Sequence, residues 1–285
     1  MGDKDKNQIV APIIGLNIGS VLGQAVANAL ANQIAKQPEQ LNNGQLKKLR
    51  EEKIKIIRDT WTAENLVWKN VSLVPSVKIG PISFPVVIQV SEVVKIDGYY
   101  IPVNAKETFE FAEKFKALPL TRRVAHQLFQ NGSPVAVVGQ YDASKTSESD
   151  AAYNPMFDFV KQSKYLESKN YGGVFDFGAH KIWALSIHKF KKCMETSNPR
   201  YGELYRTACE NTDPNRIATN YGFYINNKPE QDLGARHEEN HWDYSQLLQL
   251  MRGFLPIPMR NESGNLTWVD LNSALIERHP AIWDE

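Results

Sequence analysis

Cysteine is scarce. Two in 285 residues, Cys193 and Cys209, are too few for a disulfide-stapled scaffold or a cysteine-built zinc site. They form at most one bridge, closing a loop worth roughly 3 kcal/mol in an oxidising compartment, or they stand as two free thiols. Neither sign of charge is in excess, since 33 Lys and Arg face 32 Asp and Glu. A surface built to hold nucleic-acid phosphates carries a clear basic surplus, so nucleic acid is not the expected partner. The one dense charge run, Lys47-Lys48-Leu49-Arg50-Glu51-Glu52-Lys53, mixes both signs and reads as the solvated face of a helix. The sequence has no phosphate-cradling glycine loop and no internal repeat. Asn-x-Ser/Thr triplets at Asn70, Asn131, Asn261 and Asn265 matter only in a eukaryotic secretory pathway, to which nothing else points.

A local absence is more telling. No charged residue occurs between Lys6 and Lys36. Within that stretch Pro12 suits the first turn of a helix. Gly15, Gly19, Gly23, Ala27 and Ala31 then recur every fourth residue and make a ridge of small side chains along one face. Such ridges let two helix backbones approach closely. Asn17, Ser20, Gln24, Asn28 and Asn32 form a polar stripe on another face. Three readings compete. A signal peptide would use "AVA" or "ALA" as its cleavage site. A single membrane span has the length, but its amides would need partners in lipid. The reading adopted is a helix packed among copies of itself or against other subunits through residues 9–35, with membrane or cell-envelope contact as the alternative.

The remainder has the length for a sizeable core. Three segments are expected: the uncharged helix at 1–36, a linker with a charged amphipathic helix at 37–69, and an α+β domain at 70–285. Leu46, Leu49, Ile56 and Trp61 are the expected inward positions of the charged helix. From Val71 the chain is rich in Val and Ile, with a hairpin signal at Asp97-Gly98. Three or four antiparallel strands are expected there. Pro75, Pro81, Pro85 and Pro102 mark edge or irregular positions. Asn104 with Glu107 is a capping box that opens a helix through Phe109, Ala112 and Phe115. A second helix follows Pro119 and stops at Gly132. Beyond a Ser/Asp-rich loop at 141–155 come a helix over Met156–Ser168 and a strand pair within "YGGVFDFGAHKIWALSI". A further strand with an Asn-Asn turn and a C-terminal tail complete the pattern. The fold class is α+β: an N-terminal helical segment, then a mixed, mainly antiparallel sheet domain with flanking helices.

The residues that carry chemistry lie in "HEENHWDYSQLLQL". His237, Glu238 and His241 fit the zinc-protease pattern His-Glu-x-x-His. One helical turn would place both imidazoles on a single zinc, with Glu238 as the base that activates its water. The third ligand is not evident: the residues after His241 lack the extended Gly and His, and Glu262 sits in a loop-like stretch. The competing reading is a polar loop or helix start, with Trp242, Leu247, Leu250, Met251 and Phe254 as the core face. His180 is a second candidate base, and Asp243 and Tyr244 are candidate substrate-binding groups.

Four stretches, "IPVNAKETFEFAEKFKALPLTRRVAHQLF", "GAHK", "NRIATNYGFYINNKPEQDL" and "HWDYSQLLQL", together resemble an uncharacterised family of bacterial and phage-associated proteins over residues 100–251. The resemblance maps a Gly-His-Lys segment to His180 and Lys181, and a Tyr-Gly to Tyr221 and Gly222. It maps a His before Asp-Tyr-Ser to His237 or His241 with Asp243, Tyr244 and Ser245. Where that pattern continues His-Gly, this chain has Gln246 and Leu247. The resemblance implies a virion or cell-envelope setting, with peptidoglycan as substrate or anchor.

The expectation is therefore a structural or assembly subunit of a larger complex (a virion, a secretion machine or an envelope-associated assembly). The alternative is a cell-envelope hydrolase, zinc-dependent or not, with its site around residues 237–245.

Overall fold

Helix α1 (Asn43–Thr60) opens with a capping box in which the Asn42 side chain accepts from the Gln45 amide and Gln45 answers on the Asn42 amide. In the computed structural model, which describes residues 40–132, 135, 147, 149–185, 218–225, 227–234 and 240–283, this is the first described element. The proposed packing helix with Gly15, Gly19, Gly23 and Ala27 lies outside the described residues, as do Cys193 and Cys209. The chain divides into two units, residues 1–41 and 42–285. The charged helix belongs to the same unit as the sheets.

Its buried face differs from the expected one. Asn43, Leu46, Arg50, Ile54 and Ile57 are buried at near-helical spacing, whereas Ile56 is 36% exposed and Leu49 and Trp61 are half-buried. The stripe was hard to see because its central position is an arginine. Arg50 finds its partner on helix α2 (Ala105–Lys114), where it pairs with Glu107. Its Nε donates to the Pro102 carbonyl at 2.9 Å, and the guanidinium lies 4.7 Å from the Trp242 ring centre. Glu107 is itself the capping-box residue of α2, accepting from the Asn104 amide while Asn104 accepts from its own. One carboxylate thus closes a helix end and neutralises a buried cation.

Strands β1 (Trp68–Ile79) and β2 (Ile82–Ser91) form a long hairpin turning at Gly80-Pro81, with a register shift between Leu73 and Val77 around Pro75. β1 is an edge, where a missing ladder donor is tolerated. β2 pairs with β9 (Leu250–Gly253), and β9 with the short β5 (Leu118–Pro119), giving an antiparallel sheet of order β1-β2-β9-β5. β3 (Lys95–Ile96) and β4 (Tyr99–Tyr100) flank the expected Asp97-Gly98 turn, both of whose residues have positive φ. Helix α3 (Arg122–Asn131) is capped by Thr121 and followed by Gly132, as the sequence implies. Helix α4 (Phe159–Ser168) follows a 3-10 turn at Pro155–Phe157.

A second antiparallel sheet has the order β6-β7-β8: β6 (Lys181–Leu185), β7 (Ala218–Ile225) and β8 (Lys228–Gly234). The expected strand pair before it is a correction. Only β6 is strand; residues 171–180 run as turns, although Tyr171, Val174, Phe177 and Ala179 are buried. β10 (Ile257–Arg260) pairs with β11 (Leu266–Val269), and helix α5 (Leu271–Ile276), capped by Asp270, ends the chain's regular structure. The main core gathers Val86, Ile88 and Val90 of β2, Val124 and Leu128 of α3, Ile182 and Ala184 of β6, and Leu275 and Ile282 near the C-terminus. Helices and mainly antiparallel sheets therefore make an α+β fold, as expected.

Candidate functional site

The segment after the zinc-protease pattern is not a helix. Residues 241–249 run as turn and extended chain and lead into β9. His237 and Glu238 lie outside the described residues. Of the two forms of the competing reading, the chain takes the polar loop rather than the helix start: Leu247, Leu250 and Met251 are buried as expected, Trp242 is half-buried, and Phe254 is exposed.

Asp243-Tyr244-Ser245-Gln246 builds its own turn. Asp243 Oδ1 accepts from the Ser245 amide at 2.9 Å and from Ser245 Oγ at 2.7 Å, and the Asp243 amide donates to Gln246 Oε1 at 2.9 Å. Short polar side chains that bond nearby backbone compete with helix formation in this way. The turn sits beside β6 through Lys181 N–H to the Ser245 carbonyl and Leu247 N–H to the Lys181 carbonyl. That proximity delivers Lys181 Nζ to Asp243 Oδ2 at 2.6 Å, with only 6% and 7% of the two side chains exposed. Burial alone would raise the Asp243 carboxyl; Lys181, with His241 and Ser245, outweighs it and holds the group well below the usual carboxylate range. His241 Nε2 stands 3.7 Å from the same Oδ2. Tyr244 is buried, its amide donating to the Met156 carbonyl and its ring meeting Phe223 edge-on.

His180 is not brought to that group. It precedes Lys181 on the chain and faces the opposite way, into an aromatic pocket of Tyr171 and Phe177. Nδ1 is hydrogen-bonded to the Tyr171 hydroxyl, and the ring is completely buried. Its Nε2 and Gln249 Oε1 lack partners at hydrogen-bond geometry, yet the Gln249 side chain is close enough to favour the imidazolium slightly. Burial pushes the pKa down to about 3 against this small opposing effect. An inaccessible neutral ring is not placed to act as a base on an outside substrate.

The pH consequence is direct. Above the ordinary value of 6.5 both folded and unfolded chains keep His180 neutral; between 6.5 and about 3 only the unfolded chain takes up the proton. Stability is expected to fall with pH across that window, by up to about 1.4 kcal/mol per unit. Urea midpoints at pH 7, 6 and 5 should show the slope. His180→Gln should flatten it, leaving a residual contribution from His279, which burial also pushes down.

Gly222 explains why the family-like positions cluster. Its φ is +124°, and a Cβ there would lie 2.7 Å from the His180 carbonyl oxygen and 3.0 Å from Lys181 Cα. Only glycine lets β7 pass so close to the His180-Lys181 backbone. Tyr221 on the same strand is fully buried, with its hydroxyl 2.6 Å from that of Tyr224. Lys181, Tyr221, Gly222 and Asp243 to Ser245 therefore lie together in a buried nexus that the His180 backbone, but not its ring, joins.

Among the described residues no group of three or more His, Cys, Asp or Glu is placed to hold a metal ion. Of the zinc pattern only His241 is among the described residues; its Nε2 lies 3.7 Å from Asp243 Oδ2, and no helix follows it. No helix among the described residues is long and apolar enough to cross a membrane. No family model matches the chain, and neither a curated protein nor a solved structure does.

Sequence reasoning missed Arg50 and Gln249, and it named Lys181 through the resemblance without its Asp243 partner. The signal for Arg50 was its phase with Leu46, Ile54 and Ile57. For Lys181 it was a lone cation at the head of an apolar strand, "KIWAL".

Proposed function

We propose that this chain is a non-catalytic subunit of a larger assembly, built from copies of itself, with the α+β domain serving as a docking module. The observation that carries this reading is an exposed apolar face on the β1–β2 and β10–β11 hairpins. Ile82 and Trp268 are 57% and 53% exposed, and Phe84 meets the Trp268 ring edge-on at 5.7 Å. Clustered exposed large apolar side chains mark interaction surfaces. The formal charge of +1 leaves little repulsion between copies. The recurrence of Gly15, Gly19, Gly23 and Ala27 every fourth residue is a second support, read from the sequence alone. Commitment of Lys181, Asp243 and His180 to internal contacts supports a framework role for them rather than catalysis. A virion or envelope complex remains the setting proposed.

Sedimentation velocity on the full chain tests this. The wild type is expected to self-associate in a concentration-dependent way. Ile82→Glu with Trp268→Glu should shift the equilibrium towards monomer by about tenfold or more, the effect of roughly 1.4 kcal/mol. A wild type that stays at the 32.3 kDa monomer mass at every concentration refutes self-assembly.

A hydrolase of cell-envelope polymers is the second reading. His241 favours it, because its partly exposed imidazole lies beside a carboxylate held anionic. A carboxylate in that position orients a general base, with Glu238 and His237 completing the zinc pattern in sequence.

A further inference from the structure

A cleft of about 390 Å³ opens where the end of α1 meets the segment after β2 and the turn at residues 170–176. That volume is in the range of small-molecule sites. It is remote in chemistry from the Lys181–Asp243 nexus, none of whose residues lines it. One wall is Trp61, whose indole meets no other ring and donates no hydrogen bond among the described residues. Carboxylates enter from two other elements: Glu92 just after β2 and Asp176 from the turn.

The charges facing the cleft leave a negative surplus. Lys95 also lines it, its Nζ 2.6 Å from Glu167 and 5.6 Å from the Tyr100 ring centre, so two carboxylates face one lysine among the lining residues. Lys69 reaches Glu92 only at 3.8 Å and from an exposed position. Asp176 Oδ2 accepts from the Gly173 amide at 2.8 Å, which fixes the turn and holds the carboxylate in place without a countercharge. Burial raises the Tyr100 phenol to about 12, and Glu167, Asp176 and Glu92 all push it the same way, so their field reaches the cleft floor. Gly172 lets the floor form: at φ +127°, its Cβ would come within 2.9 Å of the Tyr100 hydroxyl.

We infer that this cleft binds a small organic ammonium ion, its apolar or ring portion on Trp61 and its N–H groups on Glu92 and Asp176. An unpartnered indole offers a π-face to a cation or a flat group, and ionised carboxylates accept charge-assisted hydrogen bonds from ammonium. A neutral ligand would leave the carboxylates unmatched, and an anion would be repelled. The inference is independent of self-assembly, since the apolar face at Ile82 and Trp268 does not line the cleft.

The test titrates full-length, isotope-labelled chain with 2-phenylethylamine at pH 7 and, separately, with the neutral 2-phenylethanol. The reporter is the assigned Trp61 indole N–H resonance. The amine is expected to shift it saturably, with a Kd on the order of 1 mM, and the alcohol at least about tenfold more weakly. Glu92→Gln, a substitution at a partly exposed position, should weaken the amine about fivefold while the amide spectrum keeps its folded dispersion. Equal binding of amine and alcohol, a Glu92→Gln chain that binds as tightly as wild type, or no saturable shift up to roughly 20 mM would overturn the inference.

Discussion

Replacing Arg50 by alanine is expected to lower the unfolding free energy by about 3–5 kcal/mol, among the largest effects of any single substitution in the domain. Its partner Glu107 would remain buried and negative, without the cation that hydrogen-bonds it. The Pro102 carbonyl would lose its donor, and Trp242 the cation over its ring. For a domain of this size about 3 °C of Tm accompanies each kcal/mol, so a fall of roughly 10 °C is expected by calorimetry. The cause can be separated from simple loss of packing. Adding Glu107→Gln to Arg50→Ala keeps an acceptor for the Asn104 amide and removes the stranded charge. The double variant should recover about 1–3 kcal/mol. If the second change instead costs further stability, the stranded charge is not the cause.

Lys181→Met should cost a similar amount, about 3–5 kcal/mol at pH 7, because it strands the Asp243 carboxylate in the same way. Here pH gives a sign that packing loss cannot imitate. In the wild type the depressed Asp243 contributes stability that is complete above its ordinary value of 3.8 and is lost as pH falls below it. Without Lys181, burial dominates and the carboxyl should rise above 3.8. Its contribution would then be present at low pH and lost as pH rises through the new value. The gap between variant and wild type should therefore narrow steadily from pH 7 towards pH 4 in denaturant titrations. A constant gap would mean that the lysine acts through its aliphatic stem alone. The wild-type slope from His180 is common to both proteins and cancels in the comparison.

Local chemistry was legible where side chain and backbone agreed. The Asn104/Glu107 capping box, the Asp97-Gly98 hairpin and the Thr121 and Gly132 helix boundaries could all be read from a few adjacent residues, and all are present. What could not be read is long-range partnership. Arg50 on a helix face looks solvated until Glu107, 57 positions on, is placed beside it. The same holds for Lys181 and Asp243, separated by 62 positions. Residues 171–180 are as apolar as a strand, but Gly172 and Gly178, both at positive φ, turn the backbone repeatedly. The apolar residues of "HWDYSQLLQL" suit a helical period, which left a helix start open beside a polar loop. The Asp243, Ser245 and Gln246 side chains instead bond their own backbone and one another, and the chain continues as β9. Of the candidate residues, Lys181, Tyr221, Gly222 and Asp243 lie together, while the His180 ring faces the other way. The sequence did not show that the convergence is buried.

The measurement that bears most directly on a framework role for this nexus is metal content. Elemental analysis would be run on full-length protein purified without chelators, with His241→Ala alongside. Zinc well below one per chain in the wild type, unchanged by the substitution, is the result expected of a non-catalytic subunit. One zinc per wild-type chain, lost in His241→Ala, would contradict it and make His237, Glu238 and His241 the centre of a hydrolase.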